Sequence, residues 1–267
     1  MVHLDIVGKK DKFNFDEFIE IIRILRSPGG CPWDIEQTHK SIRNDFIEEV
    51  YEVADAIDKS SSADLCEELG DVLLQVALHS QMASEEKEFD VSDVIDVVAR
   101  KMILRHPHVF GSVEVKDSAE VLSNWDKIKM AEKSQETATD TLKSVPDAFP
   151  ALMRAAKVQK RAAKAGFDWD DYKGALAKVE EETKELKNAI EKGDEAEISD
   201  EFGDLLFSAV NVSRFLNLNS EEVLNRATNK FINRFEKVEK LATERGIDMK
   251  TASPEELDKL WDEIKHK

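Results

Sequence analysis

Apolar residues recur at three- and four-residue steps in both halves of the chain, and this spacing predicts amphipathic helices. In the first half the periodic positions are Phe46, Val50, Val53, Ile57, Leu69, Leu73, Val76 and Ala77. In the second half they are Leu176, Val179, Leu186, Ile190, Phe202, Leu205, Leu206 and Val210. Short polar breaks, Ser60-Ser61-Ser62 and Lys192-Gly193-Asp194, divide each series into two helices. Because no alternating strand pattern of useful length appears, the sequence predicts an all-α fold.

The polar faces of these helices carry an acidic pattern that occurs twice with the same internal spacing. Two adjacent glutamates and a third are followed, after fifteen residues, by a glutamate and an aspartate that are three positions apart. Each acid reappears 133 positions later (181 − 48), as Glu48/Glu181, Glu49/Glu182, Glu52/Glu185, Glu68/Glu201 and Asp71/Asp204. Among 56 acidic residues in 267, five matches in register indicate an internal repeat and therefore two domains.

A third helix in each half extends the repeat with different offsets. Lys101 and Arg105 recur as Lys230 and Arg234, and the later residues Trp125 and Lys129 recur as Trp261 and Lys265. Offsets that change between elements are expected when length differences fall in loops. We predict an N-terminal domain over residues 1–132, a polar linker over 133–146 that ends at a proline, and a C-terminal domain over 147–267.

The acidic pattern suits a divalent cation. Residues three or four apart share a helix face, so two antiparallel helices can bring four carboxylates together. Oxygen ligands without histidine or cysteine favour Mg²⁺, with Mn²⁺ as a substitute, over Zn²⁺. The predicted metal ligands are Glu49, Glu52, Glu68 and Asp71 in the first copy and Glu182, Glu185, Glu201 and Asp204 in the second. Glu48 and Glu181 are outer acids that orient a water or support a second metal.

Composition limits the partners. A formal net charge of −18 argues against nucleic-acid polymers and anionic membranes, but not against a phosphorylated ligand held through a metal. No apolar run approaches the ~20 residues that span a bilayer, and the segment Met1–Phe15 has no apolar core of a signal peptide. The two cysteines, Cys31 and Cys66, are far apart and are interpreted as reduced thiols, so we expect a cytoplasmic protein.

Several further motifs make a family resemblance specific. They are Gly30-Cys31-Pro32-Trp33-Asp34 with Gln37-Thr38-His39, Lys101-Met102 with Arg105-His106-Pro107-His108-Val109-Phe110-Gly111, and Gly166-Phe167-Asp168-Trp169. With the acidic repeat, they resemble the MazG nucleotide pyrophosphohydrolases of the all-α NTP pyrophosphatase superfamily. The resemblance covers nearly the whole chain and implies two tandem MazG-like helical-bundle domains that pair as a homodimer.

The resemblance also implies an activity. The expected enzyme is a Mg²⁺-dependent nucleoside triphosphate pyrophosphohydrolase that converts NTP or dNTP to the monophosphate and pyrophosphate, with broad base tolerance, as a housecleaning enzyme of the nucleotide pool. The second copy is expected to be the principal site, with catalytic residues Glu181, Glu182, Glu185, Glu201 and Asp204. Substrate-binding residues are expected to be Lys230, Arg234, Trp261 and Lys265, with first-copy equivalents Lys101, Arg105, Trp125 and Lys129.

Other functions remain open at this stage. The same scaffold serves base-specific dUTP/dCTP pyrophosphatases and phosphoribosyl-ATP pyrophosphohydrolases, although the tandem arrangement and the CPWD segment disfavour both. A non-catalytic nucleotide sensor and an acidic helical scaffold are the alternatives from other classes. For Trp33 and Trp169 we expect core packing, and for the isolated residues His39 and His79 a structural role.

Overall fold

The computed structural model describes residues 12–132 and 136–265, and these residues form helices joined by turns, without a strand. The all-α prediction is therefore confirmed. The chain divides into two compact units, one up to Ile128 and one from Lys129 onward. Residues 1–11 lie outside the described residues, and with them most of the segment for which we expect no signal peptide. Residues 133–135 of the predicted linker also lie outside them.

In the first unit, the helices α3 and α4 carry the first acidic motif. The helices are α1 (Phe15–Leu25), α2 (Pro32–Glu36), α3 (Arg43–Asp58), α4 (Ser62–Glu85), α5 (Val91–Arg105), α6 (Pro107–Phe110) and α7 (Ser118–Glu132), of which α7 continues past the boundary at Lys129. The α3 and α4 helices pack along each other, and α1 and α5 pack against α4. The buried core of this unit consists of Ile22, Ile42, Ala77, Leu78 and Met82.

In the second unit, α10 and α11 carry the second acidic motif. The helices are α8 (Ala138–Lys143), α9 (Ala151–Lys164), α10 (Tyr172–Lys192), α11 (Glu195–Phe215), α12 (Ser220–Glu244) and α13 (Pro254–Lys265). The α10 and α11 helices pack along each other, α9 packs against α8, α11 and α12, and α13 packs against α12. Val238, Ala242 and Leu260 form a buried cluster between α12 and α13.

The polar breaks end and restart the motif helices where the sequence predicted. In the first unit, the Ser61 side chain accepts a hydrogen bond from the Asp64 backbone N–H and caps α4. In the second, Gly193 adopts a left-handed conformation (φ 75°) after α10, and the Asp194 carboxylate caps α11 by accepting from Ala196 and Glu197. Such short connections make each helix pair antiparallel, which brings the two parts of each acidic motif side by side.

The predicted linker contains an ordered piece of the second unit. Residues 138–143 form α8, and the Arg161 guanidinium donates hydrogen bonds to the Thr141 carbonyl and, at 2.7 Å, to the Ser144 hydroxyl. Val145 is buried. Residues 138–145 of the predicted linker therefore pack against α9 in the second unit.

Many apolar positions of the motif helices remain exposed in the single chain. In the first unit these are Val50, Ile57, Leu69 and Leu73, and in the second Leu176, Ile190, Phe202 and Leu206. Patches of this kind on soluble proteins mark interaction surfaces. The helical periodicity was correct, but the apolar faces exceed what either unit buries alone.

Candidate functional site

Both acidic motifs converge into carboxylate clusters. In the first unit, oxygen atoms of Glu49 on α3 and of Glu68 and Asp71 on α4 all lie within 4.8 Å of one another. In the second, Glu182 on α10 and Glu201 and Asp204 on α11 do the same. Thus each antiparallel pair brings three of its four predicted ligands together, with one from the first helix and two from the second.

The fourth predicted ligand of each set lies at the edge of its cluster. Glu52 and Glu185 are both exposed. They still act on the clusters: the Glu52 carboxylate is among the groups that raise the pKa of Glu49 and of Glu68, after the effect of burial. Glu185 raises the pKa of Glu201 in the same way, again after burial. Neither acid belongs to the three-carboxylate cluster itself, so their place as fourth ligands stays a prediction.

The first cluster consists of acids that repel one another. Burial raises the pKa of Glu49, and Asp71, Glu52 and Asp45 raise it further through their negative charge. Burial also raises the pKa of Glu68, with Glu52 and Asp71 adding to the effect. Asp45 stands on α3, four residues before Glu49, and adds negative charge to this cluster.

The second cluster has a lysine where the first has that aspartate. Lys178 (178 − 45 = 133) is four residues before Glu182, and its ammonium lies 2.5 Å from the Glu182 carboxylate and 3.1 Å from that of Glu181. Glu182 is only 3% exposed. Hydrogen bonds to Glu182 and then Glu181 raise the pKa of the Lys178 ammonium. Sequence reasoning missed Lys178, although a lysine four residues before a motif glutamate was a readable signal.

Both clusters fit a hard divalent cation. All donors are carboxylate oxygens, which Mg²⁺, Mn²⁺ and Ca²⁺ prefer and which Zn²⁺ sites seldom use alone. Oxygen ligands at ~2.1 Å from one Mg²⁺ lie no more than ~4.2 Å apart, so clusters within 4.8 Å need only small side-chain movements. A cation would also offset the cost of gathering like charges in a partly buried place.

The predicted phosphate- and nucleotide-binding residues lie on other helices. Lys230 and Arg234 are on α12 and Trp261 and Lys265 on α13, and Trp261 packs against Phe231 with ring centroids 5.2 Å apart. In the first unit, the Arg105 guanidinium lies 5.9 Å from the Trp125 ring centroid. Lys101 and Lys129 are exposed. The structure thus places Arg105 beside Trp125, while contact of either set with the acids stays a prediction.

Two aromatic predictions were wrong and one pair of histidines meets. Trp33 is 57% exposed and Trp169 is 44% exposed, so neither is a core residue. Trp33 lies on the short helix α2, and Trp169 lies in the loop before α10. His39 and His79 stack with ring centroids 5.0 Å apart and their Nδ1 atoms 2.7 Å apart.

Within the described residues, no helix is long and apolar enough to cross a membrane.

Comparisons with known proteins identify these repeats. Residues 37–110 and 171–239 each match the MazG nucleotide pyrophosphohydrolase domain, and these segments contain the two acidic clusters. The chain is 44% identical over 251 residues to the nucleoside triphosphate pyrophosphohydrolase/pyrophosphatase MazG of Thermotoga maritima, covering 94% of this chain and 95% of that protein. It is 41% identical over 253 residues to the nucleoside triphosphate pyrophosphohydrolase of Escherichia coli, covering 94% and 96%.

A third relative is larger. The chain is 48% identical over 252 residues to the uncharacterized protein YabN of Bacillus subtilis, which covers 94% of this chain but 51% of that protein. The tandem unit is therefore also part of a longer chain in another bacterium. With two matching domains and two similar proteins of nearly equal length, the chain belongs to the MazG family of nucleotide pyrophosphohydrolases.

Proposed function

We propose that this protein hydrolyses nucleoside and deoxynucleoside triphosphates to the monophosphate and pyrophosphate, with Mg²⁺ as cofactor and Mn²⁺ as a substitute. The observation that carries the proposal is the repeated carboxylate cluster inside each MazG-matching segment. The names of the relatives from T. maritima and E. coli support the same reaction. The protein tolerates different bases and serves to clear the nucleotide pool.

In this proposal the residues of the chain hold the cation and orient a water. Glu182, Glu201 and Asp204, joined by Glu185, hold the cation in the second site; Glu49, Glu68 and Asp71, joined by Glu52, do so in the first. When bound, Mg²⁺ supplies positive charge to the phosphates and lowers the pKa of a coordinated water. Glu181, which is exposed and lies 3.1 Å from the Lys178 ammonium, serves as the outer acid that orients a water or supports a second metal.

Cationic side chains bind the triphosphate in this proposal. Lys230 and Arg234 are four residues apart on α12 and can take oxygens of the leaving pyrophosphate as charge develops. Trp261 and Lys265 follow on α13. Lys101, Arg105, Trp125 and Lys129 take the same roles in the first copy. Arg105 beside Trp125 supports a cation next to an aromatic surface there.

The second site is proposed as the principal one. Its Glu182 is buried and held by Lys178, which fixes the carboxylate's position before any cation arrives. Enzymes gain rate from such preorganisation because less rearrangement is needed during the reaction. The first site has Asp45 instead, which is among the acids that raise the pKa of Glu49 after the effect of burial.

We also infer a homodimer that works in the cytoplasm on free nucleotides rather than on nucleic acid or membranes. The exposed apolar positions of α3, α4, α10 and α11 support pairing, since a second copy offers a matching apolar surface. The two free cysteines are consistent with a reducing compartment. The domain limits 1–132 and 147–267 remain our proposal for the two repeats.

The test is analysis by anion exchange of the products formed from a mixed NTP and dNTP panel with Mg²⁺. Monophosphate and pyrophosphate from most bases, without diphosphate, would support the proposal. Monophosphate from a single nucleotide would indicate a base-specific pyrophosphatase instead. No turnover with Mg²⁺ or Mn²⁺ would contradict the enzyme and favour a nucleotide sensor.

A further inference from the structure

The loop Gly166–Trp169, which joins α9 to α10, presents two aromatic side chains to solvent. Phe167 is 85% exposed and Trp169 is 44% exposed. The loop backbone is fixed: Gly166 has a positive φ of 89°, and the Gly166 and Phe167 N–H groups donate to the carbonyls of Ala163 and Ala162. This is the hydrogen-bonding pattern of a glycine-ended helix. Exposed aromatic rings on a fixed backbone need an explanation beyond chain flexibility.

An ion pair fixes the middle of the loop to α11. The Asp168 carboxylate accepts hydrogen bonds from the Arg214 guanidinium at 2.5 and 2.9 Å, and the Trp169 backbone N–H donates to the same carboxylate at 3.0 Å. Arg214 is itself held, because its Nε donates to the Oδ1 atom of Asn211, which is buried. Its guanidinium also lies 4.4 Å from the Phe215 ring centroid. Such paired side chains preorganise the loop.

Gly174 on α10 leaves room for the indole ring of Trp169. A methyl group at Gly174 would overlap the Cδ1 and Cγ atoms of Trp169, so the ring lies directly against the helix backbone. Glycine in a helix weakens it relative to alanine, which makes a close contact its physical reason here. Trp169 is thus held from two helices, α10 through Gly174 and α11 through Arg214.

The same face of α10 leads from Trp169 to the metal cluster. Gly174 and Glu185 are eleven residues apart, about three full turns, and therefore lie on one face. Lys178 and Glu181 lie near this line. From Gly174 to Glu182 the helix rises by about 12 Å. A nucleotide whose phosphates lie at the carboxylates would place its ribose and base along this face, toward Trp169.

We propose that Trp169, with Phe167 beside it, is the stacking platform for the nucleobase of a triphosphate bound at the second metal site. This inference rests on the proposed function. Every base has a π-face, so stacking on an indole binds bases without reading their edges. The platform therefore accounts for broad base tolerance. Trp261 is less available for the same role, because it packs against Phe231 and the buried α12–α13 cluster.

The experiment separates the base from the phosphates. The full chain is used with the first site neutralised by Glu49→Gln, Glu68→Gln and Asp71→Asn, and binding is measured by calorimetry with Mg²⁺. The ligands are α,β-methylene ATP and inorganic tripolyphosphate, which has no base. Trp169→Ala is expected to weaken binding of the nucleotide by roughly 5- to 100-fold and to leave tripolyphosphate binding unchanged. Trp169→Phe retains an aromatic face and should restore most of the affinity.

Two further variants sharpen the result. Gly174→Ala keeps the indole but displaces it, and is expected to weaken nucleotide binding while tripolyphosphate binding is kept. Trp33→Ala removes an exposed tryptophan from the neutralised unit and is the matched control, with no change expected. Unchanged nucleotide affinity in Trp169→Ala, or an equal loss for both ligands, would overturn the platform.

The hydrolysis assay distinguishes failure of the stacking platform from failure of the proposed function. If the unaltered protein releases pyrophosphate but Trp169→Ala binds nucleotide normally, the platform is wrong and the proposed function stands. If the unaltered protein hydrolyses no nucleoside triphosphate and binds neither ligand, the proposed function fails and the platform fails with it.

Discussion

The two acidic clusters have matching ligands, but a residue of opposite charge stands beside each cluster. Asp45 and Lys178 occupy matching positions, four residues before the first ligand of each site. In the first site the aspartate adds to the repulsion that raises the pKa of Glu49. In the second the lysine forms a 2.5 Å ion pair with the buried Glu182. A repeat can therefore keep every metal ligand in register and still produce sites with different charge.

The difference changes what each site requires of a cation. The first site has Asp45 in place of the positively charged Lys178 and should attract cations more strongly, since each added negative charge increases the Coulomb attraction. The second is already partly neutralised, so its geometry depends less on the metal. We infer that the first site favours cation binding and the second favours catalysis.

The largest expected effect comes from removing one ligand from each site in turn. Glu182→Gln should lower kcat/KM for triphosphate hydrolysis by about a hundred-fold or more, because metal ligands contribute several kcal/mol to charge stabilisation. Glu49→Gln should lower it by less than about three-fold, since Glu182 remains intact. Steady-state release of pyrophosphate measures both, with Glu180→Gln, an exposed acid on the same helix, as the control. Equal losses would show that the sites work as equals.

Exchanging the differing charge is expected to change stability. Lys178→Met leaves the buried Glu182 carboxylate without its partner and should lower the free energy of unfolding by about 1 kcal/mol without Mg²⁺. This loss of stability is smaller than the loss expected when a fully buried ion pair is broken, because the Lys178 side chain is 36% exposed. Asp45→Lys should raise the free energy in the first unit. Urea titration checks both, with Lys184→Met on α10 as the control; a neutral Lys178→Met would contradict the role of the pair.

The pH dependence should differ between the sites. The raised pKa values of Glu49 and Glu68, caused by burial and neighbouring acids, mean that the folded first site holds protons that the unfolded chain releases. Without Mg²⁺, stability therefore falls as pH rises above the ordinary carboxyl pKa of ~4.3 and through these raised values.

Mg²⁺ competes with the same protons, so the increase in Tm that it causes should grow over this pH interval. In the second site burial and then Glu185 raise the pKa of Glu201 in the same direction, but Lys178 adds a positive charge beside Glu182. Thermal unfolding of variants with one neutralised site should show the steeper pH response when the first site is intact. An equal response from both sites would remove the charge difference as its cause.

The smallest effect concerns the turns that align the motif helices. Asp194 caps α11 through two backbone N–H groups, whereas Ser61 caps α4 through one at 3.3 Å. Asp194→Ala should therefore lower the free energy of unfolding by about 1 kcal/mol, and Ser61→Ala by about 0.5 kcal/mol. Urea midpoints at constant slope report the difference. A larger loss for Ser61→Ala would contradict the comparison of the caps.

The sequence predicted the helices well because their signals are local. Apolar periodicity and the breaks at Ser61 and Gly193 depend on neighbours within a few residues, and the structure ends the helices there. The acidic ligands were found because a repeat in register is visible without coordinates. Three of each four converge because the antiparallel pairing is set by a short turn.

Other features depend on long-range packing that a single sequence does not display. The position of Trp169 depends on a close approach to Gly174 and on the ion pair between Asp168 and Arg214, which are 46 residues apart. The stacked pair His39 and His79 is separated by 40 residues. Lys178 was different, since its four-residue spacing to Glu182 was visible and required only a comparison with Asp45 at the matching position.

The first measurement asks whether the second site alone catalyses attack of water at the α-phosphorus. The full chain with Glu49→Gln and Glu68→Gln hydrolyses ATP in water labelled with the heavy oxygen isotope. Mass spectrometry then locates the label in the products. We expect label in the monophosphate and none in pyrophosphate, with turnover largely retained, because the second site directs attack at the α-phosphorus. Label in pyrophosphate, or loss of turnover in this variant, would contradict it.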